Sequence, residues 1–217
     1  MNIPKYPPEA HIPVFENIMH WARAQENFDP PMKWLLGPEG SGKSVISNAL
    51  AERCRAEGTF LASFCFSRDD TSLNHALPLF ATIAYQVIMN FPDSREVICG
   101  VPERDPFILN QSLYSQLTSL IVGPLRHLYQ GIERFIGPYL VIIDGLDQCA
   151  DSEVQINILN SILKVVNECQ FPLKFFITSR PEPHIVAELN SEAVKPILSR
   201  HDLDEFCPGD DSYDSDM

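Results

Sequence analysis

Short apolar runs alternate with longer amphipathic segments along most of the chain. The apolar runs are rich in Val, Ile, Leu and Phe, and such runs are typical of strands that are buried in a parallel sheet. Strands are predicted at residues 33–36, 59–66, 139–143, 173–178 and 193–198.

Between these runs, apolar residues recur at helical spacing. The segment 153–169 shows the pattern clearly, with Val154, Ile158 and Ile162 on one face. Strands that alternate with helices predict an α/β fold, in which a parallel sheet carries helices on both faces. The other helices are predicted at 11–26, from residue 45 to about 58, at 76–90, at 112–128 with a continuation over 129–135, and at 182–189.

Proline marks the segments that do not follow the alternation. The first ten residues are proline-rich and are predicted to be extended, and Pro92, Pro102 and Pro106 predict that 91–111 is a broken connection with at most a short helix. We therefore divide the chain into an N-terminal extended segment with a helix at 1–31, a core at 32–200 and a tail at 201–217.

Composition and charge narrow the class of protein. The 217 residues suffice for one α/β domain with a buried core, and 7 of the 29 acidic residues fall in the tail, which is predicted to be disordered. A net charge of −13 without a basic stripe argues against a nucleic-acid partner. No apolar run approaches the ~18 residues that would span a bilayer, and we find no signal peptide. The six cysteines are scattered, as expected for reduced thiols in a cytoplasmic protein.

Residues 37–44, here called the phosphate loop, match the pattern G-x-x-x-x-G-K-[ST] in full. Glycines in such a loop let successive backbone N–H groups point at phosphate oxygens, and the next helix adds its positive N-terminal end. Lys43 is expected to reach the β- and γ-phosphates and Ser44 to ligate Mg²⁺. The alternative, a glycine turn with a chance lysine, is disfavoured by the flanking strand and helix. The matching residues are Gly37, Pro38, Glu39, Gly40, Ser41, Gly42, Lys43 and Ser44.

Two carboxylates follow the predicted strand at 139–143. Asp144 comes where the strand ends, the position at which α/β sheets place their ligands, and is the natural ligand for a metal at the phosphate loop. Asp147 could orient or deprotonate a water that attacks the γ-phosphate. Asp and Gly also form ordinary turns after strands, so each residue alone would carry little weight.

A third polar group follows the strand at 173–178. Arg180 would point towards the γ-phosphate if this strand lies beside the first strand, and could then stabilise developing charge. The alternative is a surface arginine at a helix start. His184 is interpreted as a solvent-exposed or packing histidine.

Together, the motifs GPEGSGKS, LVIIDGLDQC and FFITSRPEP resemble those of the NACHT-type NTPases of the signal-transducing STAND class, especially the fungal proteins. The sequence ASFCFSR at 62–68 adds to this resemblance, which spans about residues 5–206. The resemblance implies a three-layer P-loop NTPase sandwich with a five-stranded parallel sheet in the order 5-1-4-3-2. It also implies ATP and ADP as nucleotides, Mg²⁺ as cofactor, and a signalling switch of the kind used in innate immunity, closed with ADP and assembling with ATP.

The chain departs from the family pattern in two respects. Family members usually carry Glu at the position of Gln148, and glutamine cannot act as a base. The family's phosphate loop normally sits in a larger protein with a winged-helix region, whereas this sequence ends in the acidic tail. We therefore expect an isolated or truncated NTPase core.

Two functions fit these features. The first is a slow, weak ATPase whose nucleotide state controls association with itself or with larger NACHT proteins. The alternative is a non-catalytic nucleotide-binding interaction module, or a truncated decoy of full-length relatives. A small-molecule kinase is disfavoured because 91–111 offers only Arg95 and Arg104 for a lid, and a GTPase because no N-K-x-D motif is present. By family analogy the base-binding pocket would lie near residues 6–14.

Overall fold

The computed structural model describes residues 11–24, 29–129, 138–168 and 172–203. Its centre is a five-stranded sheet in which each neighbouring pair is parallel, and the strands, numbered along the chain, lie in the order 2-3-4-1-5. This order confirms the predicted 5-1-4-3-2 arrangement. The strands are β1 Met32–Leu36, β2 Phe60–Cys65, β3 Tyr139–Asp144, β4 Leu173–Ser179 and β5 Leu198–Asp202.

Helices connect the strands in the alternation that the sequence predicts. A π-helical segment, Thr118–Val122, joins the fifth and sixth α-helices, so the predicted helix at 112–128 is helical from Leu113 to Leu128. The α-helices are α1 Ile12–Arg23, α2 Lys43–Ala56, α3 Leu79–Asn90, α4 Arg95–Arg104, α5 Leu113–Leu117, α6 Gly123–Leu128, α7 Ser152–Glu168 and α8 Pro183–Leu189.

The sheet separates two apolar clusters, because successive side chains of a strand point to opposite faces. Leu140 and Ile142 of β3 pack with α1 and α2, whereas Val141 and Ile143 pack with α3, α7 and α8. Strands β1, β3 and β4 are buried along their whole length. The three-layer sandwich is therefore confirmed.

Helix α1 is part of this sandwich. Lys33 and Lys174 are both buried on strands, and their ammonium groups donate to Asn17 Oδ1 at 2.9 Å and to the carbonyl oxygen of Ala24 at 2.8 Å, respectively. Burial lowers the pKa of Lys33 to about 8 and also lowers the pKa of Lys174. The predicted division at residue 31 thus separates a helix from the core on which it packs.

The outer edge of β2 is closed by side chains from α3. Gln86 donates to the carbonyl oxygen of Ser63 at 2.7 Å and accepts from its backbone N–H at 3.0 Å. Asn90 donates to the carbonyl oxygen of Leu61 at 2.8 Å. Because an open strand edge can pair with another chain, these amides protect β2 from such pairing.

The predicted fifth strand at 193–198 is wrong except for its last residue. Pro196 lies in a single 3₁₀ turn, Lys195–Ile197, and β5 begins only at Leu198. The strand continues to Asp202 and Leu203 is buried, so the core extends beyond the predicted boundary at residue 200. Strand β5 could not be recognised from the sequence because it contains polar residues. These residues are tolerated since the strand is only partly buried beside β1.

Segment 91–111 holds the ten-residue helix α4, since Pro92 begins a 3₁₀ turn before it, Pro106 follows it, and Pro102 falls within its last turn. The predicted helical continuation over 129–135 lies outside the described residues, except for Tyr129, which follows the end of α6.

Candidate functional site

A cleft of about 490 Å³ opens where the first four strands end. Its walls come from the loops that follow β1, β2, β3 and β4, which a parallel sheet brings to one edge. The lining residues are Glu39, Gly40, Gly42, Lys43, Ser44, Val45, Arg68, Asp69, Gly145, Asp147, Gln148, Thr178 and Arg180.

The phosphate loop forms one wall of this cleft. Gly40 and Gly42 have φ angles of +79° and +89°, which residues other than glycine rarely adopt. The first turn of α2 follows Gly42 directly. The Lys43 ammonium donates to the carbonyl oxygens of Gly37 and Pro38 at 2.7 and 2.6 Å, and its nitrogen lies 3.3 Å from Ser41 Oγ. The loop is therefore folded around its own lysine.

The two predicted metal ligands differ in their surroundings. Ser44 is exposed and lines the cleft. Asp144 is buried, and its Oδ1 accepts hydrogen bonds of 2.7 Å from the hydroxyls of Ser47 and Thr178. Since Thr178 lines the cleft, Asp144 is one hydrogen bond removed from it.

Cys65 is a further neighbour of Asp144, at the end of β2. Its Sγ lies 3.5 Å from Asp144 Oδ2. Desolvation, together with the nearby carboxylate, raises the pKa of this thiol to about 12. The thiol is therefore protonated at neutral pH and can donate to Asp144.

The two predicted catalytic residues contact each other. Nε of Arg180 lies 2.7 Å from Oδ2 of Asp147, and the backbone N–H of Arg180 donates to Oδ1 at 3.0 Å. Asp147 is buried, and its hydrogen bond raises the pKa of the Arg180 guanidinium. Nη1 of Arg180 also lies 3.7 Å from Glu39 Oε2, so this arginine links Asp147 to the phosphate loop.

Arg68 is a cleft residue that the site prediction missed. Its Nη2 donates to the carbonyl oxygen of Asp147 at 3.1 Å, and its backbone N–H donates to Gln148 Oε1 at 3.3 Å. The available signal was its place just after a strand of the sheet, where ligands bind. Gln148 packs against the turn, because a Cβ added at Gly145 would lie 3.1 Å from its Nε2.

His184 reaches the site only through Gln155. Its Nε2 lies 2.7 Å from Gln155 Oε1, and Gln155 Nε2 donates to the carbonyl oxygens of Cys149 at 2.6 Å and Asp147 at 3.4 Å. The half-buried histidine therefore supports the loop after β3 and does not line the cleft.

The cleft fits a magnesium nucleotide. Among the described residues, nothing lies within 4 Å of a Cβ built on Gly40, which lines the cleft. The loop, Lys43 and the N-terminal end of the 14-residue α2 would receive phosphates, and Ser44 offers a hydroxyl to the metal. Within the described ranges, no group of three His, Cys, Asp or Glu residues could hold a metal.

The fold and the phosphate-loop cleft are those of a P-loop NTPase, and a family match over residues 15–180 supports the STAND/NACHT type. The chain belongs to the family described as Nephrocystin 3, N-terminal, whose pattern it matches over residues 15–180. No curated protein shows a significant match. Within the described residues, no helix is both long and apolar enough to cross a membrane.

One solved structure supports the fold. The crystal structure of Cdc6p from Pyrobaculum aerophilum superposes with a TM-score of 0.54 at 15% identity, over 91% of this chain and 46% of Cdc6p. This chain thus spans about half the length of that protein. The dimeric structure of MJ0796, a bacterial ABC transporter cassette, is similar at 13% identity over 82% of this chain and 84% of the cassette, but its TM-score of 0.37 supports no conclusion.

Proposed function

We propose that this chain binds MgATP and MgADP in the cleft and hydrolyses ATP slowly. In this proposal, nucleotide state controls association with a second copy or with larger NACHT proteins, as part of a signalling switch. The observation that carries the proposal is the phosphate loop facing Asp147 and Arg180 across one cleft.

Lys43 and the loop glycines would hold the phosphates. In the present arrangement the Lys43 ammonium is bound to two carbonyl oxygens of its own loop. Phosphate oxygens carry more negative charge than carbonyl oxygens, so the ammonium would exchange these partners for the β- and γ-phosphates. Bound Mg²⁺ would neutralise phosphate charge, with Ser44 and Asp144 as its proposed protein ligands, the second through water.

In this proposal, Arg180 determines whether the Asp147 carboxylate can act on water. Both carboxylate oxygens of Asp147 accept hydrogen bonds from Arg180, so this carboxylate is poorly placed to take a proton from water while the ion pair persists. Arg180 also lies near Glu39, at the mouth of the phosphate loop. A γ-phosphate would compete for the guanidinium and release Asp147 to orient or deprotonate the attacking water. This requirement is consistent with slow hydrolysis.

The surroundings of Gln148 favour a second candidate, a nucleotide-binding interaction module without turnover. The Gln148 amide accepts from the backbone of Arg68 and packs on Gly145, which is a structural use. An amide offers no base, so hydrolysis would depend on Asp147 alone. In this case nucleotide would stabilise the fold without being consumed.

The thiols support a cytoplasmic location, which stays part of the proposal. The four cysteines in the described residues, Cys54, Cys65, Cys99 and Cys149, are all free. Free thiols are typical of proteins that work in a reducing compartment.

Thermal unfolding with MgATP, MgADP or MgGTP tests the proposal, with Lys43→Ala as the control. We expect ATP and ADP to raise the melting temperature of the wild type more than GTP does, and to leave Lys43→Ala unchanged. Single-turnover hydrolysis that Asp147→Asn abolishes would favour the ATPase, whereas binding without turnover would favour the interaction module. A wild-type chain that no nucleotide stabilises would contradict both.

A further inference from the structure

Arg68 occupies the cleft, although the proposed chemistry gives it no role. The residue follows β2, in a loop that is fastened by its own backbone. Ser67 N–H donates to the carbonyl oxygen of Leu73 at 3.2 Å, and Leu73 N–H donates to that of Asp70 at 2.9 Å. This compact loop presents the exposed guanidinium of Arg68 to the cleft.

Arg68 and Arg180 approach Asp147 from opposite sides. Strand β3 lies between β2 and β4, so the loop that carries Asp147 lies between the loops that carry the two arginines. Arg180 contacts the Asp147 carboxylate at 2.7 Å, and Arg68 contacts the carbonyl oxygen of the same residue at 3.1 Å. The cleft therefore contains two guanidinium groups in addition to the Lys43 ammonium.

The two arginines are held with different strength. Arg180 has a buried carboxylate as its partner, whereas the side chain of Arg68 donates to one neutral carbonyl. The carboxylate carries a full negative charge, so it attracts a guanidinium more strongly than a neutral carbonyl oxygen does. A guanidinium has five N–H donors, so Arg68 has donors to spare and would exchange its partner at lower cost than Arg180.

We propose that Arg68 contacts the terminal phosphate of a bound nucleoside triphosphate, leaving the Asp147 carbonyl to do so. This inference rests on the proposed nucleotide binding and assigns a phosphate contact from outside the phosphate loop. Since a diphosphate lacks the group that Arg68 reaches, this residue distinguishes ATP from ADP.

The contact would also change the loop after β3. Asn74, in the same loop as Arg68, accepts a 2.7 Å hydrogen bond at its carbonyl oxygen from Ala150 N–H. Gln148 accepts from the backbone of Arg68 itself. Movement of Arg68 towards a phosphate therefore pulls on the segment that carries Asp147, and links the third phosphate to the position of that carboxylate.

Equilibrium binding to the full chain tests this inference. The dissociation constants for MgADP and for a non-hydrolysable MgATP analogue are measured by competition with a fluorescent ADP, for the wild type, Arg68→Ala and Arg68→Gln. We expect both variants to bind the ATP analogue about tenfold more weakly, the loss that one charge-assisted hydrogen bond predicts, and ADP less than twofold more weakly. Arg126→Ala, which removes an exposed arginine of α6 outside the cleft, should change neither constant.

Each outcome decides the inference. Equal weakening of both nucleotides would show that Arg68 only supports the fold, and unchanged binding of both would show that it contacts no phosphate; either result overturns the inference. Arg68→Gln keeps a donor for the Asp147 carbonyl, so it provides the test if Arg68→Ala does not fold. A wild-type chain that binds neither nucleotide would refute the proposed function and this inference together, whereas wild-type binding with an unchanged ATP-to-ADP ratio in the variants would refute this inference alone.

Discussion

Arg180 holds both carboxylate oxygens of Asp147, one through its side chain at 2.7 Å and one through its backbone N–H at 3.0 Å. The carboxylate is 4% exposed and the arginine side chain 28% exposed, so the acid depends on the arginine for its hydrogen bonds. This pair connects the end of β4 with the loop after β3.

Removing Arg180 should therefore destabilise the chain even without nucleotide. Arg180→Ala leaves a buried carboxylate without its charged partner, and we expect it to lower the free energy of unfolding by about 1–3 kcal/mol in urea titrations. Asp147→Asn removes the charge and keeps an acceptor for the backbone N–H, so it should cost less. If Arg180→Ala unfolds like the wild type, the ion pair does not contribute to stability.

His11 packs on the phosphate loop, and this contact distinguishes two glycines. A Cβ on Gly42 would lie 2.5 Å from His11 Cε1, whereas no atom of the described residues lies within 4 Å of a Cβ on Gly40. Both glycines have positive φ, so each alanine variant pays about 1–2 kcal/mol for backbone strain. Gly42→Ala should cost about 1 kcal/mol more in urea unfolding, because it also displaces the histidine.

The double variant His11→Ala/Gly42→Ala provides the control. It should recover the extra cost, since the His11 side chain makes no capping hydrogen bond at the start of α1. Equal losses in Gly40→Ala and Gly42→Ala would contradict the packing of His11 against this loop.

Much of the fold could be predicted from the sequence. The buried strands β1, β3 and β4 are mostly apolar, and apart from Lys33 and Lys174 their central residues form short apolar runs. Their positions are therefore evident from the sequence, and the resemblance supplied the strand order. Strand β5 could not be found in this way. It lies beside β1 and is only partly buried, so Ser199, Arg200 and His201 are tolerated there and mask its strand character.

The candidate site was predictable where its residues are contiguous in the sequence. The phosphate loop is one unbroken motif, and its assignment as a nucleotide site stays a prediction. Contacts between distant segments could not be predicted. Asp147 and Arg180 are 33 residues apart, and Arg68 and Asp147 are 79 apart, so their pairing depends on which strands are neighbours in the sheet.

Lys33 makes stability depend on pH. Burial lowers its pKa from 10.5 to about 8 in the folded chain, so between these values the unfolded chain binds more protons than the folded chain. Stability from this residue therefore rises with pH from about 8 to about 10.5, by about 1–3 kcal/mol, and is constant below pH 8, where Lys33 is charged in both states.

The measurement compares the free energy of unfolding of the wild type and Lys33→Met at pH 7 and pH 9.5. The variant should gain stability relative to the wild type at pH 7 and lose that advantage at pH 9.5. Lys174 has a lowered pKa as well and keeps part of the slope in both proteins. Lys195→Met, at an exposed lysine, should retain the wild-type slope. A stability difference between wild type and Lys33→Met that does not change with pH would refute the assignment.

We expect the side-chain amides of Gln86 and Asn90 on α3 to stabilise the edge strand β2. Gln86→Ala removes two hydrogen bonds to the backbone of Ser63, and Asn90→Ala removes one to Leu61. We expect losses of about 1–2 and about 0.5–1 kcal/mol in unfolding free energy, respectively. Gln86→Ala should also self-associate faster in light scattering, because it uncovers the edge of β2. Unchanged aggregation would show that other features protect this edge.

Ser44 and Ser47 lie one turn apart on α2, and the same substitution should affect them differently. Ser47 is buried and donates to Asp144 Oδ1 at 2.7 Å, whereas Ser44 is exposed in the cleft. Ser47→Ala removes a hydrogen bond from a buried carboxylate and should lower the free energy of unfolding by about 1–2 kcal/mol without nucleotide. Ser44→Ala should leave that stability within about 0.5 kcal/mol of the wild type, because exposed side chains contribute little.

For magnesium-dependent nucleotide binding, Ser44→Ala should have a larger effect than Ser47→Ala. If Ser44 is the metal ligand, Ser44→Ala weakens ATP binding strongly with Mg²⁺ and little with EDTA, since the lost contact belongs to the metal. Ser47→Ala should reduce both affinities by similar small factors, because it acts through the position of Asp144. If Ser47→Ala loses the magnesium dependence while Ser44→Ala keeps it, the metal ligand is the buried Ser47 and not Ser44. The hydroxyl that the motif predicts would then differ from the hydroxyl that contacts the acid.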